Sequence, residues 1–171
     1  DIYSAVVNVA TRLQTLVDTR IAIVSDNSVT MAVYLLAAML VRKEVLLLNV
    51  HLTAREIENQ LCQLHITTVL HSAKRRAQVP ASVTAIEFES VEVTLHDIAE
   101  DTFDWTFDDY DIAAIMNTSA TTGQFKSVPL RWGQIKAHVQ ASQEVLGRSE
   151  QDNWLMVLPL FHVSGLSILM R

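Results

Sequence analysis

The sequence predicts a doubly wound α/β fold, a mostly parallel sheet with helices on both faces, and three observations carry that expectation. Short apolar runs without alternation recur at residues 21–25, 45–48, 67–71 and 112–117. Strands covered by helices on both faces read this way, because neither face of them meets water. Segments with helical spacing separate the first three runs, and strand, helix, strand, helix, strand within about fifty residues suits the short βαβ units of a parallel sheet. With 171 residues, half of them apolar, the chain can bury a full core.

The elements follow in order. Val6, Val9, Ala10, Leu13, Leu16 and Val17 fall on one helical face, with Arg12, Gln14 and Asp18 off it, so an amphipathic helix opens the chain. The β-branched run 21–25 is closed by Asp26, Asn27 and Ser28, turn formers that also cap the next helix. That helix, about 29–42, is apolar nearly all round and needs cover on more than one side. After strand 45–48, Thr53 and Glu56 have the spacing of a capping box, in which hydroxyl and carboxylate each accept from the other residue's backbone N–H. Helix 54–64 starts there.

Cys62 lies near Leu61 and Leu64 and is expected in the core. As the single cysteine of the chain it can form no intramolecular disulfide, which favours a reducing, cytoplasmic setting. Lys74, Arg75 and Arg76 read as a solvated loop. From Glu87 to Asp111 the chain carries ten acidic residues and no Lys or Arg; their spacing matches no EF-hand, so this is a solvated connector. Phe103, Trp105 and Phe107 alternate within it, as an edge strand would.

Strand 112–117 delivers the chain to a loop rich in hydroxyls, and Val128, Pro129 and Leu130 resume extended chain beyond it. Ile135, Val139, Ser142, Val145 and Leu146 mark one face of a helix, with Gly147 placed to end it as a left-handed cap. Residues 154–160 read as a further strand, leading into Phe161 and His162, and an apolar, helix-like run follows Gly165.

Composition excludes some functions. A net charge of −6 argues against a nucleic-acid surface, which needs clustered Lys and Arg. The apolar run 31–41 is too short to span a bilayer, and the first residues do not have the pattern of a signal peptide. His51, His65, His71, His96 and His138 have no ligand spacing, so no structural metal is expected.

The chemistry concentrates between residues 115 and 130. Thr118, Ser119, Thr121 and Thr122 supply hydroxyls, Gly123 lets the backbone approach a ligand, and Lys126 adds a point charge; a polyphosphate is bound by groups of this kind. A solvated turn has a similar composition. Walker A does not fit, since it needs Gly where Ser119 and Phe125 stand.

The order of these residues resembles the phosphate loop T-S-G-T-T-G-x-P-K-G of the adenylate-forming acyl-CoA synthetase superfamily. Downstream, Pro159, Leu160, Phe161 and His162 are similar to that superfamily's P-x-F-H segment. A narrower likeness to one branch rests on residues 49–53, 153–155 and 158–171. The resemblance implies a piece of the large N-terminal domain, which binds ATP and the acyl group, with the C-terminal lid lying beyond Arg171. Neither end of the sequence looks like a finished terminus, so a piece of a longer enzyme is expected, inactive by itself. It further implies a two-step ligase that uses ATP with magnesium, a small carboxylic acid and CoA, and it leaves a homodimer open.

Residue by residue, the resemblance assigns phosphate binding to Thr118, Ser119, Thr121, Thr122, Gly123 and Lys126. Lys126 also neutralises the β and γ phosphates, and His162 sits at the acyl pocket. By itself, a His between Phe161 and Val163 reads as a core residue; the motif match favours the ligand. Ser164 is no nucleophile elbow, since G-x-S-x-G needs Gly where His162 and Leu166 stand. Four positions depart from the loop pattern: Ala120 for Gly, Gln124 where Lys is common, Phe125 for Pro and Ser127 for Gly. These departures motivate a second expectation, a degenerate nucleotide-binding module without turnover.

Overall fold

The computed structural model describes residues 2–91, 103–118, 125–149 and 151–171. Strands β1 (Arg20–Val24), β2 (Glu44–Leu47), β3 (Thr68–His71), β4 (Thr84–Glu87), β5 (Ile112–Thr118) and β6 (Lys126–Arg131) form one sheet in the spatial order β4-β3-β1-β2-β5-β6. The first five are parallel, and β6 returns antiparallel to β5. The doubly wound, mostly parallel sheet is therefore present, with the strands expected at 21–25, 45–48, 67–71 and 112–117 each within a residue of their place.

Its helices are α1 (Ile2–Leu13), α2 (Val29–Leu40), α3 (Ala54–Gln63), α4 (Trp132–Leu146) and α5 (Val163–Met170). The connection β1-α2-β2 steps one way along the sheet and β2-α3-β3 steps back across β1, so two right-handed crossovers put α2 and α3 on opposite faces. That double cover is why Ile21, Ala22, Ile23 and Val24 are all fully buried. Ser28 caps α2 by accepting from Met31 N–H at 3.0 Å. At α3 the capping box forms in both directions, with Thr53 N–H donating to Glu56 Oε2 at 2.7 Å.

Several expectations are corrected. Residues 154–160 form no strand: the side chain of Asn27, rather than a ladder, satisfies the backbone of Leu158 and Leu160. Residues 103–107 are no edge strand either. Trp105 stacks on Tyr3 at 5.2 Å, Phe107 stacks on Trp132 at 3.9 Å, and Arg42 lies over Phe107 while donating to the carbonyls of Asp104 and Thr106. The alternating rings thus find helices and an arginine as partners. Strand β4 was not expected, because its sequence Thr-Ala-Ile-Glu is too short and mixed to stand out.

Cys62 is exposed. The buried stripe of α3 runs through Ile57, Gln60 and Leu61, and one further residue turns the side chain about 100° away from it. Val17 lies beyond the end of α1 and is exposed, not part of its apolar face. Gly147 ends α4 with φ 73° but ψ −178°, outside the left-handed helical region and in one that only glycine adopts readily.

Candidate functional site

Open α/β sheets bind ligands beyond the carboxyl ends of their strands, where connections from neighbouring strands leave in opposite directions. This strand order makes two such crevices. Between β1 and β3 the space is filled from the protein itself. Asp26 follows β1 and receives Arg75, whose Nε donates at 3.0 Å, while Lys74 Nζ lies 3.3 Å from Asp26 Oδ2. Lys74 to Arg76 are therefore not a plain solvated loop: they belong to a short 3-10 helix, Ala73–Gln78, latched to its neighbours. Arg75 Nη1 donates to Val50 O at 3.2 Å, and Gln78 Nε2 donates to Val50 O at 2.9 Å and Leu52 O at 2.7 Å. These bonds tie the loops after β1, β2 and β3 together. Arginine donation holds the Asp26 carboxyl below the usual carboxylate range, against a smaller opposing effect of burial.

Between β2 and β5 the crevice is open, with a volume of about 350 Å³. Asn49 borders it from the end of β2, Gln60 from α3, Thr118 and Phe125 from the β5-β6 hairpin, and Phe161 and His162 from the start of α5. Register explains the hairpin's share: Thr118 pairs with Lys126 and Asn117 with Ser127, so the hydroxyl-rich stretch is the connection between two hydrogen-bonded strands. Thr118 Oγ1 donates to Lys126 O at 3.4 Å, and Lys126 is exposed with no ion pair among the described residues. Ser119, Thr121, Thr122 and Gly123, like the substituted Ala120 and Gln124, lie outside the described residues.

Among the described residues His162 is exposed rather than buried. Its backbone caps α5, with Leu166 N–H donating to its carbonyl at 3.0 Å. The ring leans on Phe161 at 4.7 Å, and Phe161 is itself buried and edge-on to His51. What holds the segment is Asn27. Its Nδ2 donates to Leu158 O at 2.8 Å, and its Oδ1 accepts from Leu160 N–H at 2.9 Å. His162 is thus positioned from the β1-α2 loop, more than a hundred residues upstream in sequence.

Sequence reasoning missed Asn27, Gln60 and Asn117. Asn27 carries no signal beyond that of a turn former. Gln60 carries one that could have been read: it is a polar residue inside the Ile57-Leu61 stripe that faces the sheet.

A family model described as "AMP-binding enzyme" matches residues 1–170. The chain belongs to that family. It is 48% identical over 164 residues to the 2-succinylbenzoate–CoA ligase of Lactococcus lactis, covering 95% of this chain and 35% of that protein. It is 34% identical over 152 residues to the enzyme of that name from Enterococcus faecalis, covering 89% and 31% respectively. The chain spans about a third of the length of these curated relatives. Among solved structures it is similar to o-succinylbenzoate CoA synthetase from Bacillus subtilis in complex with the acyl-adenylate intermediate, with a TM-score of 0.83 and 28% identity over 98% of this chain and 45% of that one. The Bacillus synthetase in complex with ATP and magnesium gives 0.81 at 26% identity, over 99% and 46%. The narrower likeness carried by residues 49–53, 153–155 and 158–171 is to these o-succinylbenzoate ligases, and the comparisons agree with it. No helix of the described residues is long and apolar enough to cross a membrane.

Proposed function

We propose that this chain is the ATP- and acyl-binding portion of an o-succinylbenzoate–CoA ligase of menaquinone biosynthesis, working in the cytoplasm with a C-terminal lid supplied by the rest of the enzyme. The observation that carries the reading is one crevice bordered by both motifs, Thr118 and Phe125 from the phosphate loop and His162 from the P-x-F-H segment.

In the first step a carboxylate oxygen of the acid attacks the α-phosphorus of ATP, and pyrophosphate leaves with the bond it breaks. In the second, the CoA thiol sulfur attacks the acyl carbon, its proton is lost, and AMP leaves to give the thioester. Positioning and charge stabilisation are the protein's share in such transfers. Thr118, Ser119, Thr121, Thr122 and Gly123 hold the phosphates by hydroxyl and backbone donors, Lys126 neutralises the β and γ oxygens, and His162 orients the attacking carboxylate. Magnesium would accompany the nucleotide's phosphates, as is usual for that ion. It supplies charge neutralisation when bound.

The test is ATP–pyrophosphate exchange by the full-length enzyme with o-succinylbenzoate and a panel of other carboxylic acids. Exchange that depends on o-succinylbenzoate is expected. Exchange with a different acid would keep the ligase and change its substrate. Nucleotide binding without exchange for any acid would favour the degenerate binding module that Ala120, Gln124, Phe125 and Ser127 suggest.

A further inference from the structure

The backbone around Pro159 belongs to no strand, yet its polar groups from Leu158 O to Leu160 N–H are all paired. Asn27 Nδ2 donates to Leu158 O at 2.8 Å, and Asn27 Oδ1 accepts from Leu160 N–H at 2.9 Å. A residue of a neighbouring parallel strand bonds the same two groups, the carbonyl before and the N–H after the residue it faces. One side-chain amide therefore stands in for a strand opposite Pro159. Proline brings no N–H of its own, and its carbonyl accepts from His162 N–H at 3.0 Å. The same partners fix which end of the Asn27 amide is nitrogen, since a carbonyl only accepts and an N–H only donates.

The loop that carries Asn27 is pinned on both sides. Asp26 before it is held by Arg75, whose Nε donates at 3.0 Å and whose Nη2 donates as well. Ser28 after it caps α2 by accepting from Met31 N–H. Beyond Pro159 there is little slack either, because its bond to His162 closes a single turn and Gly165 leaves no room for a Cβ against its carbonyl. Every joint from Asp26 to His162 is thus a covalent neighbour, a hydrogen bond or a close contact. A shift of Asn27 has to reappear at His162, which borders the β2/β5 crevice. Adenylation is sensitive to such shifts, since the carboxylate must be held in a near-attack position against phosphorus.

We infer that Asn27 is a positioning residue for adenylate formation: its amide sets where the backbone presents His162 to the crevice, and the Asp26–Arg75 latch holds that amide in place. The filled β1/β3 crevice thereby serves as the footing of the open one. Asn27 is not among the described residues that line the open crevice, so it acts on the reaction only through His162. The inference rests on the ligase reading and deepens it, by tying one half-reaction to a loop on the far side of β2.

Asn27→Asp tests this at constant side-chain size. One oxygen still accepts from Leu160 N–H, while the other, ionised at neutral pH, faces Leu158 O with no proton to donate. In the full-length enzyme, adenylate formation should slow by about tenfold to a hundredfold, the cost of a small misplacement. The loss should fall on kcat rather than on KM for ATP, with thioester formation from preformed acyl-adenylate within about twofold of wild type. The decisive measurement is the cycle with His162→Ala. If Asn27 acts through the ring, adding Asn27→Asp to His162→Ala should slow adenylation by less than about twofold further, whereas a residue that only supports the fold would slow both backgrounds alike. Equal losses in both backgrounds or in both half-reactions would overturn the inference, as would unchanged adenylation in Asn27→Asp. Should Asn27→Asp not fold, Asp26→Asn keeps Asn27 and loosens its loop. It should show the same bias toward adenylation by about twofold to fivefold, as for a weakened rather than deleted contact, and no bias would overturn the inference as well. His162→Ala without effect on adenylation would overturn it together with the role of the ring. Absence of acid-dependent exchange in the wild type is a different failure, that of the ligase reading.

Discussion

The backbone before His162 can lie against α5 because position 165 has no side chain. A Cβ on Gly165 would meet the carbonyl of Pro159 and lie 2.6 Å from Leu158 O, so the first turn of α5 rests directly on the backbone that leads to His162. Gly165→Ala must push these apart, and overpacking of backbone of this kind costs about 1–3 kcal/mol. The expected result is a lowered Tm together with slower adenylation; an unchanged Tm would show that α5 can shift freely. For His162 itself, whose ring is exposed at the crevice, the expected effect divides between half-reactions. His162→Ala should slow adenylate formation by about tenfold or more, or about 1.4 kcal/mol in the barrier, while thioester formation from preformed acyl-adenylate stays within about twofold, because only the former needs the carboxylate oriented. Equal losses in both would argue for a packing role.

Among elements, the latch between the β1-α2 loop and the 3-10 helix after β3 has a pH signature. Arg75 holds the Asp26 pKa below its ordinary value. The unfolded value is about 3.9, so the pair contributes stability at any pH above that value and loses it as pH falls through the lower folded value. With 41% of the Asp26 side chain exposed, solvent screens much of the interaction. Asp26→Asn should therefore make acid unfolding less steep below about pH 4 with only a modest loss of stability at neutral pH, as read from Tm against pH; an acid limb identical to wild type would mean that the pair is inert. The elements also show what a sequence can disclose. Strands β1, β2, β3 and β5 were legible because burial on both faces leaves a continuous apolar run, and α3 was legible because its capping box is local. Strand β4 and the segment 154–160 were not, since edge position and the reach of Asn27 are decided by neighbours distant in sequence. The same holds within the site. Thr118, Lys126 and His162 were singled out by motif, whereas the place of Gln60 beside Asn117 is seen only once α3 faces the β5-β6 hairpin.

The whole molecule keeps its core under the sheet's helices and leaves some apolar side chains uncovered, with Leu155, Val157 and Val145 each at least two-thirds exposed. Its ligand crevice draws on widely separated parts of the chain, and the bond from Leu160 N–H to Asn27 spans 133 residues. A contact of such range closes late, because the chain entropy it removes is recovered only once the intervening structure exists. In hydrogen exchange, the Leu160 amide should open at lower free energy than that of Leu48, which donates to Ile23 O at 2.9 Å inside the sheet; equal protection would show that the segment unfolds only with the whole. At about 5–20 residues per second, a ribosome that has released Asn27 needs on the order of ten seconds to deliver Leu160. For that interval the nascent chain can assemble β1 to β4 while the histidine its crevice is built around has yet to be synthesised.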